Sequence, residues 1–132
     1  MEFTLGAIQE AQMKYTGPDF PKLIREFKLM GMIINIYNLN TGQIVYLNKD
    51  GERIEVQGEA VNIEISDPSC HETALTALKR NQVGESDFPT FCIEIARAGV
   101  YKWVSDLEQM TCSYYDLKEN VVIVENIPTV AI

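Results

Sequence analysis

DFPTFCIEIARAGVYKWVSDLEQMTCSYYDLKENVVIV, residues 87–124, returns in looser form 68 positions earlier as DFPKLIREFKLMGMIINIYNLNTGQIVYLNKDGERIEV, residues 19–56. Asp19, Phe20, Pro21, Glu26, Gly31, Leu39, Tyr46 and Val56 recur as Asp87, Phe88, Pro89, Glu94, Gly99, Leu107, Tyr114 and Val124, which is eight identities over 38 ungapped positions. Average composition gives about two or three. The pattern repeats along with the letters. Each copy opens on Asp followed by a proline that a helix tolerates in its first turn. Each helix then stops at a glycine, and the period shortens to that of strands. The chain therefore reads as an internal duplication, a single domain over residues 1–132 with repeat halves 1–66 and 67–132.

Working outward, Thr4 is the N-cap of a first helix, with Phe3 and Ile8 at the spacing of a hydrophobic staple. Gly17-Pro18 ends it. The second helix buries Phe20, Leu23, Ile24, Phe27 and Met30. Strands follow over 32–37, 43–47 and 52–57, separated by the turn signals Asn40-Thr41-Gly42 and Asn48-Lys49-Asp50-Gly51. In the last of them Ile54 and Val56 point one way and Arg53 and Glu55 the other. Val61 to Ile65 is a further short β-prone run. Ser69 and Glu72 stand at capping-box spacing before a helix that carries Ala74, Leu75 and Leu78 inward and ends at Gly84. The next helix repeats the apolar stripe with Phe88, Phe91, Cys92, Ile95 and Ala98. Strands over 100–106, 111–115 and 121–125 complete the second half. Helix, helix, strand, strand, strand, twice over, predicts an α+β two-layer domain: an antiparallel sheet, or two related sheets, of about six strands in all, backed by helices.

Composition narrows the function. The 132 residues need no metal or disulfide staple to build a core. A formal charge of −8, from 19 acidic and 11 basic residues, repels phosphate backbones and anionic lipid, so no nucleic-acid or membrane partner is expected. Three cysteines without a CxxC pair predict neither a disulfide framework nor a zinc site. The first residues lack a basic and apolar leader pattern, and no apolar run reaches the ~20 residues of a membrane span. A reducing cytoplasm is the expected compartment. No dinucleotide, phosphate-loop, serine-hydrolase or zinc-protease motif is present, so no cofactor is expected.

The runs Phe91-Cys92, Gly99 to Asp116 and Val124-Glu125-Asn126-Ile127-Pro128 resemble a family of small uncharacterised bacterial proteins. It is a domain-of-unknown-function family with prophage-encoded members, some labelled "phage envelope protein", and similar to the YdfO-like group. The resemblance spans nearly the whole chain, most specifically Gly99–Asp116. It implies an α+β fold and no reaction.

Candidate chemistry is sparse. Cys70-His71 is the one place where cysteine, histidine and a helix start coincide, but neighbours on a helix point about 100° apart. Cys92 and Cys112 align with Ile24 and Ile44, as small buried thiols in place of isoleucine would. Asp106, Glu108 and Asp116 sit at strand ends and in a turn, where acids are ordinarily solvated. The aromatic residues carry the binding expectation. Strict alternation sets Met32, Ile34 and Ile36 against the helices and puts Tyr101 and Trp103 on the sheet's other face. Tyr37, Tyr101, Trp103 and Tyr115 are thus the candidate binding residues, for a protein partner, a homodimer or a small ligand. The competing reading is a second small core covered by the tail Ile127–Ile132. The expectation is a non-enzymatic interaction module. A small enzyme or ligand binder, with its site in the cleft between the halves, is the alternative.

Overall fold

The computed structural model describes residues 2–15 and 19–129. Helices α1 (Leu5–Lys14) and α2 (Phe20–Leu29) precede strands β1 (Met32–Asn38), β2 (Gln43–Asn48) and β3 (Arg53–Gln57). Helices α3 (His71–Gln82) and α4 (Phe88–Arg97) precede β4 (Val100–Asp106), β5 (Thr111–Asp116) and β6 (Val121–Asn126). All six strands join one antiparallel sheet in the order β3-β2-β1-β4-β5-β6. The α+β fold read from the sequence is the one observed.

Local chemistry explains the element ends. The Thr4 hydroxyl accepts a bond from the Ala7 amide at 3.1 Å and caps α1, while Asp87 accepts from the Thr90 amide at 2.9 Å and caps α4. Gly31 and Gly99 end α2 and α4 at φ +88° and +92°, a region closed to most side chains. At Gly99 there is no room either: a Cβ would lie 2.4 Å from Ser69 Cα.

Several contacts recur at the 68-residue offset on the two sides of the β1/β4 seam. Ile36 pairs with Val104, its own counterpart at the 68-residue offset. The Leu39 amide donates to the Tyr101 carbonyl at 2.7 Å, and reciprocally the Leu107 amide donates to the Ile33 carbonyl at 2.8 Å. Asn38 accepts from the amides of Asn40 and Thr41 as Asp106 does from those of Glu108 and Gln109. Asn48 accepts from the amides of Asp50 and Glu52 as Asp116 does from those of Lys118 and Asn120. Left-handed residues recur too: Gly42 and Gly51 correspond to Met110 (φ +56°) and Glu119 (φ +65°).

One core joins the four helices to one face of the sheet. Ile8 and Ala11 of α1, Ile24 and Phe27 of α2, Ala74 and Leu78 of α3, and Phe91 and Ile95 of α4 meet Tyr46, Trp103, Cys112, Tyr114 and Ile123 there. Strict alternation assigns the wrong face, because each central strand is bulged near its start. Pairing shifts between Met32 and Ile34 on β1 and, at the equivalent place, between Val100 and Lys102 on β4. A bulge adds one residue and reverses the parity beyond it. Met32 and Val100 are buried under the helices, but Ile34 and Ile36 turn away, and Asn35, Tyr37, Trp103 and Ser105 turn in.

Three smaller expectations also change. Residues 61–65 form no strand; Val61 donates to the Leu39 carbonyl at 3.0 Å and Ile65 is buried within an irregular connection. The cap of α3 is Cys70 rather than Ser69, whose hydroxyl lies 3.5 Å from an Asp116 carboxylate oxygen. Ile127 is buried in the core on the helix side. The Gly17-Pro18 stop and the end of the tail beyond 129 lie outside the described residues.

Candidate functional site

Trp103 is 8% exposed. Its indole stacks on Tyr37 at 4.9 Å between ring centroids and touches Phe91 at 5.6 Å, Tyr114 at 5.7 Å and Phe88 at 6.2 Å. Offset and edge-on aromatic contacts of this kind hold a core together. The expectation that Trp103 lies on the sheet's open face is therefore corrected: α4 covers it. Tyr37 shares this cluster, and burial raises its hydroxyl pKa to about 12. The candidate set is split. Trp103 is buried in the core, Tyr37 and Tyr101 are half-buried against it, and Tyr101 and Tyr115 flank Lys102, whose Nζ stands 5.4 Å and 5.1 Å from their ring centroids. Glu119 completes that group, 2.8 Å from Lys102 Nζ and hydrogen-bonded by the Tyr101 hydroxyl.

A polar row crosses the helix-covered face beside the aromatic cluster. Tyr46, Asn35, Ser105, Cys112 and Glu125 are successive partners across β2, β1, β4, β5 and β6. The Tyr46 hydroxyl accepts from Gln12 at 3.0 Å, and the Tyr114 hydroxyl donates to Glu125 at 3.1 Å. Asn35 Oδ1 is buried with no hydrogen-bond partner among the described residues. Nothing in the row is an activated nucleophile. Burial pushes the Cys112 thiol up to about 12, opposite to the shift that makes a thiolate at neutral pH. Cys92 is pushed up to about 12 for the same reason.

The remaining candidates are dispersed. Cys70 is exposed, its sulfur accepting from the Thr73 hydroxyl at 3.2 Å, a bond that lowers its pKa. His71 lies beside it in sequence but holds Nδ1 2.9 Å from the Val122 carbonyl on β6. Asp106 and Asp116 spend their Oδ1 atoms on turn amides. No three or more His, Cys, Asp or Glu side chains among the described residues gather as a metal site. The cleft between the halves is filled on the helix side by the aromatic cluster. At one end of β1 a shallow groove of about 400 Å³ brings Lys28, Ile33 and Lys49 near Leu107 and Glu108, with no nucleophile or base pair in it.

The surface that alternation concealed is the helix-free face. Pairing carries a row Glu55–Val45–Ile36–Val104–Ser113–Val124 across all six strands. On one side of it runs Arg53–Leu47–Ile34–Asp106–Thr111–Asn126, and on the other lie Lys102, Tyr115 and Val121. None of Ile34, Ile36, Val45, Leu47 or Val104 belongs to the helix-side core. Val121 and Val124 are each 53% exposed. The centre is apolar and the charges stand around it: Lys102 and Asp106 on β4, and Arg53 paired to Glu55 at 2.5 Å on the edge strand β3. Lys102 was the available signal. It occupies the position of Ile34 in the other half, and a lysine there does not suit a helix-packed core.

The model of a family described as "Protein of unknown function (DUF1398)" matches residues 9–126. Uncharacterized protein Rv2012 of Mycobacterium tuberculosis (strain ATCC 25618 / H37Rv) is 32% identical over 101 residues, which is 76% of this chain and 62% of that protein. Uncharacterized protein Mb2035 of Mycobacterium bovis (strain ATCC BAA-935 / AF2122/97) matches to the same extent. Uncharacterized protein YcgX of Escherichia coli (strain K12) is 26% identical over 92 residues, 70% of this chain and 69% of that protein. The match thus spans about 62% of the length of the mycobacterial relatives.

Proposed function

The chain belongs to the DUF1398 family of proteins of unknown function, and we propose that it is a non-enzymatic interaction module that binds through the helix-free face of its sheet. The observation that carries this reading is the apolar band Leu47, Ile34, Val45, Ile36 and Val104 on the face opposite the helices, half-buried except for Val45, which is buried among its neighbours. Leaving such a contiguous patch in water is unfavourable, and patches rimmed by polar residues serve as contact surfaces. Tyr115 and Lys102 lie at its rim, so part of the aromatic set keeps a binding role. Catalysis finds less support, because the buried thiols are pushed away from reactivity and His71 is engaged with backbone.

Two unpaired buried cysteines suit a reducing cytoplasm, and no described helix is long and apolar enough to cross a membrane. The prophage origin implied by the resemblance is part of the same proposal, and gene neighbourhood in the host genome tests it. The binding reading itself is tested with a photo-crosslinking amino acid at Ile36 in the native host. Adducts are expected from Ile36 and not from Met13, an exposed residue of α1 on the opposite side of the molecule. No adduct from Ile36, or equal adducts from both positions, refutes it.

A further inference from the structure

We propose that the occupant of the helix-free face is a second copy of this chain, packed sheet to sheet about a two-fold axis running across the strands along the Val45–Ile36–Val104 row. The proposal rests on the reading that this face is a contact surface, and it adds the partner and its orientation.

Charge decides the orientation. Lys102 and Asp106 lie on β4 at equal distances either side of Val104 and share its open face. A two-fold axis across the strands through Val104 reverses the strand direction in the second copy. Lys102, which already contacts Glu119 of its own copy at 2.8 Å, then faces Asp106 of the second copy and is shared between the two carboxylates, and Asp106 faces the other Lys102. An axis along the strands at the β1/β4 seam instead sets Asp106 against Ile34 of the second copy, which buries a carboxylate on hydrocarbon at high cost, and one along β4 sets Asp106 against itself. The favoured axis places Val45, Ile36 and Val104 on themselves, so the apolar centre is self-complementary, as a two-fold interface requires. At the edge Glu55 meets its own copy, but Arg53 already neutralises it.

Area is sufficient. Six strands spaced about 4.8 Å apart, with five residues each rising about 3.3 Å, present a face on the order of 500 Å² in projection. Side-chain relief raises the accessible area above that, towards the roughly 800 Å² per partner of a standard interface. Two sheets packed about 10 Å apart in the aligned class make an ordinary sandwich, with the helices of both copies outside. The unpaired apolar face becomes its centre.

Sedimentation equilibrium on the full chain between about 1 and 100 μM is expected to give twice the chain mass, at a dissociation constant in the micromolar range or tighter. Lys102→Glu sets like charges in contact across the axis and is expected to weaken the dimer about tenfold or more. Asp106→Asn added to Lys102→Glu removes the repulsion, keeps an oxygen for the turn amides and is expected to recover most of that loss. Circular dichroism confirms the fold of each variant. A dimer indifferent to Lys102→Glu, or unrescued by Asp106→Asn, overturns the arrangement. A wild-type chain that stays monomeric at 100 μM while the Ile36 crosslinker captures a different protein overturns self-pairing and leaves the binding reading standing. A monomer with no adduct overturns both.

Discussion

Trp103→Ala separates an interior indole from a surface anchor. The indole is boxed by Tyr37, Phe88, Phe91 and Tyr114 at centroid distances of 4.9, 6.2, 5.6 and 5.7 Å. A buried aromatic removes about 150–250 Å² from water, worth about 4–6 kcal/mol at 25 cal/mol per Å². Alanine keeps the first carbon, and the reference chain is already partly compact, which lowers the figure. The cavity left among four rings raises it again. The expected loss is about 4 kcal/mol. With a urea slope of about 1.5 kcal/mol/M, the midpoint falls by roughly 2–3 M.

Trp103 is the only tryptophan, so unfolding of the variant is followed by far-ultraviolet circular dichroism rather than by fluorescence. Trp103→Phe retains a ring against Tyr37 and should lose less than half as much. Neither variant should alter association once folded, because the indole faces α4 and not the open sheet. A loss under about 1.5 kcal/mol would refute the packing argument, and so would a folded variant whose association alone is impaired.

Three further outcomes are expected. Alkylation of the native protein should modify exposed Cys70 first, with Cys92 and Cys112 reacting only on unfolding; mass spectrometry reads the order, and rapid labelling of Cys92 would count against its burial. Glu125→Gln should stabilise the protein at neutral pH and hardly at all at low pH. Burial raises the Glu125 pKa, so the folded state holds its proton more tightly than the unfolded state. Wild-type stability must then fall as pH rises from the unfolded value of about 4.3 through the folded one, a decline that paired melts should show flattened in the variant. Finally, Gly51→Ala should cost only about 1–2 kcal/mol, from φ +83° with open space around a new Cβ, whereas Gly99→Ala adds the 2.4 Å clash with Ser69 Cα and should cost clearly more; equal losses would contradict the geometry.

The element content was legible because each boundary has a local cause. Gly31, Gly42, Gly51 and Gly99 stand where φ is positive, Thr4 and Asp87 cap their helices, and Asn48 and Asp116 fold the same turn. The partition of side chains between faces was legible only through Lys102, which stands where the other half has Ile34. It depends on two bulges that leave no mark in period-two alternation, because Met32, Ile34 and Ile36 are all apolar whichever face each takes. For the same reason strict alternation assigns Trp103 to the open face. An open sheet face built from Ile34, Ile36, Val45 and Val104 looks, in one dimension, like a core strand.

The bulges also explain why that face is apolar at all. Each follows directly on the left-handed glycine that ends a helix, and the first strand residue, Met32 or Val100, is held beneath the helices. The extra residue then swings the strand round, so that Asn35 and Tyr37 in one half, and Trp103 and Ser105 in the other, complete the interior. Strands re-aimed in this way bring a second apolar set to the far side, where no described helix covers it. The halves differ there at one telling place. Lys102 replaces Ile34, and its β4 neighbour on the same face is Asp106 rather than the equivalent Asn38. Two apolar copies would have left a face with no preferred orientation. A lysine and an aspartate flanking Val104 give that face a direction, which is what a specific partner requires and a solvated surface does not.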